Sequence, residues 1–77
     1  MIEDKVALVM AQVFDTPVEE ITEDASPDNI RKWDSLNHMN LIFALEQSFG
    51  VSFVPEEIIE MLNYKQVVLT LKEKKVR

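Results

Sequence analysis

The sequence predicts an all-α fold, a small four-helix bundle in which a short third helix accompanies three longer ones. Three segments repeat apolar residues at the three-and-four spacing of one helical face. No segment alternates apolar and polar residues convincingly enough to predict a strand. The 77 residues show no repeat and no low-complexity segment, so we expect a single domain spanning residues 1–77.

The first helix is predicted over residues 2–14. Glu3 and Asp4 suit the positive end of a helix, and the Asp15-Thr16-Pro17 segment ends it because a residue before proline avoids helical geometry. The predicted core-facing positions are Ile2, Val6, Val9, Met10 and Val13.

A long loop is predicted over residues 15–34, which carry seven acidic residues and no sustained period. A short turn is expected from Val18 to Ile21. Ile21 and Ile30 are the expected anchors of this loop in the core. A connection of this length in a compact domain is typically functional.

The remaining helices are marked by their ends. Asp34 can cap a second helix over residues 35–49, and Gly50, the only glycine, follows where a left-handed C-terminal cap is expected. Pro55 suits the first position of a short third helix that extends to about Met61.

A fourth helix is predicted after Asn63, which forms a capping-box pattern with Gln66. Its expected inner face consists of Tyr64, Val67, Val68 and Leu71. The lysines expected at its negative end are Lys72, Lys74 and Lys75.

Composition excludes several classes of function. Without cysteine there is no disulfide and no thiolate metal site, and one histidine with scattered carboxylates makes no metal-ligand set. The net charge of -6 argues against nucleic acid and favours basic protein partners, although an acidic surface also keeps a small domain soluble. No signal peptide and no membrane-spanning run is visible, so we expect a cytoplasmic monomer without membrane insertion.

The second helix has two apolar faces in the sequence. A first stripe, expected to face the core, consists of His38, Leu41, Ile42, Leu45 and Phe49. A second stripe cannot share that face and consists of Leu36, Met39, Asn40, Phe43 and Gln47. This second stripe is interpreted either as a surface that docks partners or as a surface covered by Ile58 or Ile59.

Ser35 is the candidate functional residue because it lies at the start of the second helix. Backbone N–H groups and the helix dipole favour a phosphate there. His38 lies one turn later, but no oxyanion hole accompanies a serine–histidine pair, so His38 is interpreted as a core-edge residue. Trp33 is expected to pack over the helix start as a staple. A solvated face is expected of Glu56, Glu57 and Glu60.

The chain resembles the acyl carrier proteins at Asp34-Ser35-Leu36. The resemblance extends to the acidic small domain, the long loop before the serine, residues 39–46 and the short helix from Pro55. It implies that a phosphopantetheinyl transferase attaches 4'-phosphopantetheine from coenzyme A to Ser35, flanked by Asp34 and Leu36. The arm would hold acyl or aminoacyl groups as thioesters for the acyl-loading and acyl-transfer enzymes of a fatty-acid-like or specialised biosynthetic pathway. The chain itself would not be an enzyme.

The resemblance also implies two sets of contact residues. The partner-binding set is Leu36, Met39, Asn40, Phe43, Glu46 and Glu56. The acyl-pocket set is His38, Ile42, Leu45, Ile58 and Met61. Amides replace the family's usual acids at Asn37, Asn40 and Gln47, and Lys32 stands where a glycine is usual. These departures favour a free-standing carrier of a specialised bacterial pathway. The alternative function of the chain is a protein-interaction module that has the carrier fold but binds its partners through the second helix without an arm.

Overall fold

A computed structural model describes residues 2–74 and contains four α-helices. They are α1 (Ile2–Phe14), α2 (Ser35–Phe49), α3 (Pro55–Glu60) and α4 (Tyr64–Glu73), with a short 3-10 turn at Val18–Glu20. No strand occurs within residues 2–74. The predicted all-α four-helix bundle is therefore confirmed. α3 ends at Glu60, close to the predicted end, and the predicted role of Lys75 lies outside the described residues.

The core lies where α1 packs against α2 and α4. Its fully buried side chains are Val6, Met10, Phe14, Leu41, Ile42, Leu45, Met61, Val67 and Leu71. Phe14 follows Met10 by four residues and therefore extends the buried stripe of α1, whereas Ile2 and Val13 are only partly buried. The predicted inner face of α4 is confirmed, with Tyr64 half-buried at its start.

The long loop is anchored rather than loose. Ile21 and Ile30 are buried as predicted, and Ala25 and Trp33 join them. The N–H of Tyr64 donates to the carbonyl of Ala25 at 2.9 Å, which connects the loop to the start of α4. These contacts fix the approach of the chain to Ser35.

The helix ends form as the sequence predicts. The Asp34 carboxylate accepts from the N–H of Asn37 at 2.8 Å, and Asn63 accepts from the N–H of Gln66 at 2.8 Å. Gly50 adopts φ 66° and donates its N–H to the carbonyl of Glu46, which is the expected left-handed cap. The two caps flanking α2 therefore set its length and place Ser35 at its first position.

Candidate functional site

Ser35 is exposed at the first position of α2, directly after its capping residue. Beside it lies an open depression of about 580 Å³, which we call the Ser35 depression. Its lining is mostly apolar and consists of Pro27, Trp33, Asp34, Ser35, His38, Met39 and Leu62. The serine hydroxyl thus stands at the rim of a concave surface rather than on a flat one.

Trp33 forms the inner wall of the Ser35 depression. Its side chain is 3% exposed and stacks on Phe14 of α1, with ring centroids 5.1 Å apart. It also stacks on His38, at 6.2 Å and an interplanar angle of 20°. Trp33 and His38 occupy the N′ and N4 positions around α2, so the predicted packing of Trp33 over the helix start is confirmed.

Both ring nitrogens of His38 are engaged. Nδ1 accepts a hydrogen bond from Trp33 Nε1 at 3.0 Å, and Nε2 lies 2.9 Å from the carbonyl oxygen of Ile58. We call these two hydrogen bonds the His38 bridge. An indole N–H can only donate and a carbonyl can only accept, so the partners require a neutral ring with its proton on Nε2.

The His38 bridge argues against a serine hydrolase built on Ser35. A general base needs a free lone pair within reach of the serine hydroxyl. The one lone pair available on the neutral ring, at Nδ1, is directed at Trp33. His38 is therefore a structural residue at the edge of the core, as the sequence analysis expected.

The second stripe of α2 is open in the described part of the chain. Leu36 is 73% exposed, Phe43 59% and Met39 39%. The alternative that Ile58 or Ile59 covers this stripe is not met, since Leu36, Met39 and Phe43 stay exposed and Ile59 is itself 70% exposed. Single exposed apolar residues are ordinary, but three on one helix face are a typical feature of docking surfaces.

The polar side chains of the predicted partner-binding set differ in how far they are free to contact a partner protein. Glu46 is half-buried, and its Oε2 accepts from the N–H of Phe53 at 2.9 Å. Asn40 donates its side-chain amide to Asn37 Oδ1 at 3.0 Å, whereas Glu56 is exposed. Much of the hydrogen-bonding capacity of Glu46 therefore stabilises the turn after α2.

The predicted acyl-pocket residues lie on the inner side of the helices. Ile42, Leu45 and Met61 are almost completely buried, and His38 and Ile58 are half-buried and joined by the His38 bridge. Of this set, His38 also lines the Ser35 depression. Their role in holding an acyl chain stays a prediction.

Comparison with known proteins identifies a relative of this chain by sequence identity. No family model matches the chain. An acyl carrier protein of Thermosynechococcus vestitus is 36% identical over 73 residues, which cover 95% of this chain and 89% of that protein. The chain belongs to the acyl carrier protein family. The resemblance at Asp34-Ser35-Leu36 is thereby confirmed at the level of the family, and with it a carrier rather than an enzymatic role.

Two ion pairs connect the C-terminal part of α4 to other helices of this carrier protein. Lys72 Nζ lies 2.7 Å from Glu3, and Lys74 Nζ lies 2.8 Å from Glu57. The hydrogen bond from Lys72 lowers the pKa of Glu3, and that from Lys74, helped by the N–H of Val54, lowers the pKa of Glu57. Both pairs attach α4 to other helices.

Two further features concern the part of the chain from residue 2 to residue 74. No three His, Asp or Glu side chains there are grouped closely enough to hold a metal ion. None of the helices described is both long enough and apolar enough to cross a membrane.

Sequence reasoning missed two residues of the carrier's Ser35 depression. Pro27 belongs to the long loop and Leu62 to the connection between α3 and α4, so neither follows from the pattern of α2. No local signal marks them, because their position depends on tertiary packing. The Trp33–His38 hydrogen bond had a partial signal in the staple spacing of the two residues.

Proposed function

We propose that Ser35 carries a 4'-phosphopantetheine arm and that the arm holds acyl or aminoacyl groups as thioesters. The observation that carries the proposal is the exposure of Ser35 at the first position of α2 in a chain of this family. A phosphodiester there would meet the N-terminal N–H groups and positive end of a 15-residue helix.

The proposed attachment uses coenzyme A as donor and a phosphopantetheinyl transferase as catalyst. Ser35 Oγ forms a bond to the phosphorus of the pantetheine phosphate and loses its proton. The bond between the two phosphates of coenzyme A breaks, and the nucleotide portion leaves with the electron pair. Because His38 Nδ1 accepts from Trp33, His38 is not the base for this step, and we propose that the transferase supplies it.

Partner enzymes are proposed to dock on the exposed stripe of α2. Leu36, Met39 and Phe43 offer apolar anchors beside the arm, and Asn40 and Glu56 offer polar contacts. Asn37, Asn40 and Gln47 leave this stripe with few negative charges, which reduces long-range attraction to basic enzymes. We therefore propose a dedicated set of partners in a specialised bacterial pathway. The flexible arm would let one small domain visit each of them at high local concentration.

The modification is tested by intact mass spectrometry. The full chain is incubated with coenzyme A and a phosphopantetheinyl transferase of broad specificity, and one arm should be added. Ser35→Ala should receive none, while Ser48→Ala, an exposed serine at the other end of α2, should be modified like the parent chain. Circular dichroism of Ser35→Ala should match that of the parent chain, since no hydrogen bond of the Ser35 hydroxyl occurs among the described residues.

The proposal would be contradicted if several different transferases left the parent chain unmodified. The carrier-fold interaction module would then be favoured, since its binding needs the exposed stripe alone. Its signature is partner binding that Ser35→Ala leaves unchanged and Phe43→Ala weakens.

A further inference from the structure

The C-terminal end of α3 depends on the His38 bridge. α3 has six residues and none of them is buried. Ile58 lies in its last turn, where carbonyls run out of intrahelical partners. The N–H of Met61 donates to the carbonyl of Glu57, and the N–H of Leu62 donates to the carbonyl of Glu60. Neither of these N–H groups therefore donates to the carbonyl of Ile58. His38 Nε2–H therefore caps the Ile58 carbonyl from α2, across the tertiary structure.

The other half of the His38 bridge holds the chain just before Ser35. Trp33 directly precedes the capping residue Asp34, and its indole is held between Phe14 and His38. Leu62, which follows α3, lines the opposite part of the Ser35 depression. One imidazole thus connects the two segments whose side chains form the depression.

Proton uptake is incompatible with this arrangement. A protonated imidazole donates at both nitrogens, so Nδ1–H would face the indole N–H of Trp33 at the 3.0 Å that now separates the nitrogens. Two donors cannot share that distance, and the hydrogen bond from Trp33 must break. Histidine is the side chain that ordinarily changes charge between about pH 5 and 8.

We propose that His38 is a proton-dependent positioning residue for the site around Ser35. The neutral ring joins Trp33 to α3 beside the Ser35 depression. Uptake of a proton at Nδ1 releases Trp33, whereas Nε2–H continues to donate to the carbonyl of Ile58. The packed position of Trp33 against His38 is present while the ring is neutral and is lost when the ring is protonated.

Few charged groups of the described residues surround the ring. Asp34 lines the same depression, and its carboxylate accepts from the N–H of Asn37. Glu57 precedes Ile58 on α3 but is held by the N–H of Val54 and by Lys74 of the α4 end. The neighbour from α1 is the apolar Phe14, through Trp33. Asp34 is therefore the one carboxylate among the described residues that lines this depression beside the ring.

The test follows three signals of the full chain between about pH 8 and 5. Nitrogen-15 NMR identifies the tautomer of His38, fluorescence reports Trp33, the only tryptophan, and hydrogen exchange reports the amides of Met61 and Leu62. We expect the Nε2–H tautomer at high pH. As His38 takes up its proton, Trp33 fluorescence should change with the midpoint of the His38 NMR signal. The exchange protection of the amides at the end of α3 should be retained, because Nε2–H still donates to the carbonyl of Ile58.

Two substitutions separate protonation from packing. His38→Gln retains an acceptor oxygen and a donor N–H but does not titrate, so its fluorescence and α3 exchange should be independent of pH and close to those of the parent at high pH. His38→Leu retains bulk without hydrogen bonds, so α3 exchange should be fast at every pH. If His38→Leu does not fold, the parent chain and His38→Gln still decide the question.

Either of two results would overturn the proposal. One is a proton on Nδ1 in the neutral ring, and the other is a Trp33 fluorescence profile whose midpoint differs from that of His38. A pH-dependent profile that persists in His38→Gln would equally assign the effect to another group.

A consequence for the modified carrier rests on the proposed function. A phosphodiester on Ser35 lies three residues before His38, where helix neighbours are separated by about 6 Å. Its negative charge favours the protonated ring, so the midpoint of the fluorescence change should move to higher pH at low salt. If Ser35 accepts no arm, only this shift is lost, and the measurements on the unmodified chain still test the His38 bridge.

Discussion

Two leucines of α2 provide a matched test of its two faces. Leu45 is completely buried, whereas Leu36 is 73% exposed. They lie nine residues apart, which places them about 180° apart around the helix. Leu45→Ala and Leu36→Ala remove the same atoms from the same helix, so the difference between them isolates burial from helix propensity.

The expected costs differ severalfold. Leu45→Ala should lower the free energy of unfolding by about 2–5 kcal/mol, because the surrounding core relaxes only partly around the cavity. A domain of this length has a total stability of about 4–12 kcal/mol, so much of it would be lost. Leu36→Ala removes a side chain that is largely in water and should change stability by about 0.5 kcal/mol or less.

Urea unfolding followed by Trp33 fluorescence measures both values. The m-values should agree with that of the parent chain, which makes the midpoints comparable. Equal losses for the two variants would refute the assignment of the faces. The same proteins then test docking: Leu36→Ala should slow modification of Ser35 about fivefold or more if Leu36 is a partner anchor.

Two further predictions concern charge at helix ends. Asp34→Ala removes the oxygen that caps α2 and should cost about 0.5–2 kcal/mol in urea unfolding, whereas Asp34→Asn retains an acceptor and should cost less. Glu57 has a pKa lowered below 4.5 by the hydrogen bond from Lys74, so its contribution to stability is present above that pH and is lost as the pH falls through the lowered pKa. Glu57→Gln should therefore make unfolding less dependent on pH below 4.5.

One result would contradict each of the two predictions on Asp34 and Glu57. Equal stability of Asp34→Ala and the parent chain would mean that water caps α2 as well as the carboxylate does. If the stability of Glu57→Gln below pH 4.5 depends on pH as strongly as that of the parent chain, solvent screens the ion pair with Lys74 completely.

The helices of this carrier could be predicted because their signals are local. The cap at Asp34, the glycine at position 50 and the proline at position 55 act on their own backbone, and the structure places the helix ends at those residues. The spacing of apolar residues along α2 likewise predicted that Leu45 would be buried and that Leu36 would lie on another face, where it is exposed. Such features depend on neighbours within a few residues, which the sequence contains.

The position of Ser35 and the family of the chain were thus determined by the sequence alone. Only the tertiary structure decided what surrounds the serine. Pro27 and Leu62 reach the Ser35 depression from two separate connections, and His38 meets the carbonyl of Ile58, twenty residues away along the chain. Contacts of this kind depend on how helices and loops pack, and no local periodicity specifies them. The expected core-edge histidine is consequently a bridge between Trp33 and α3.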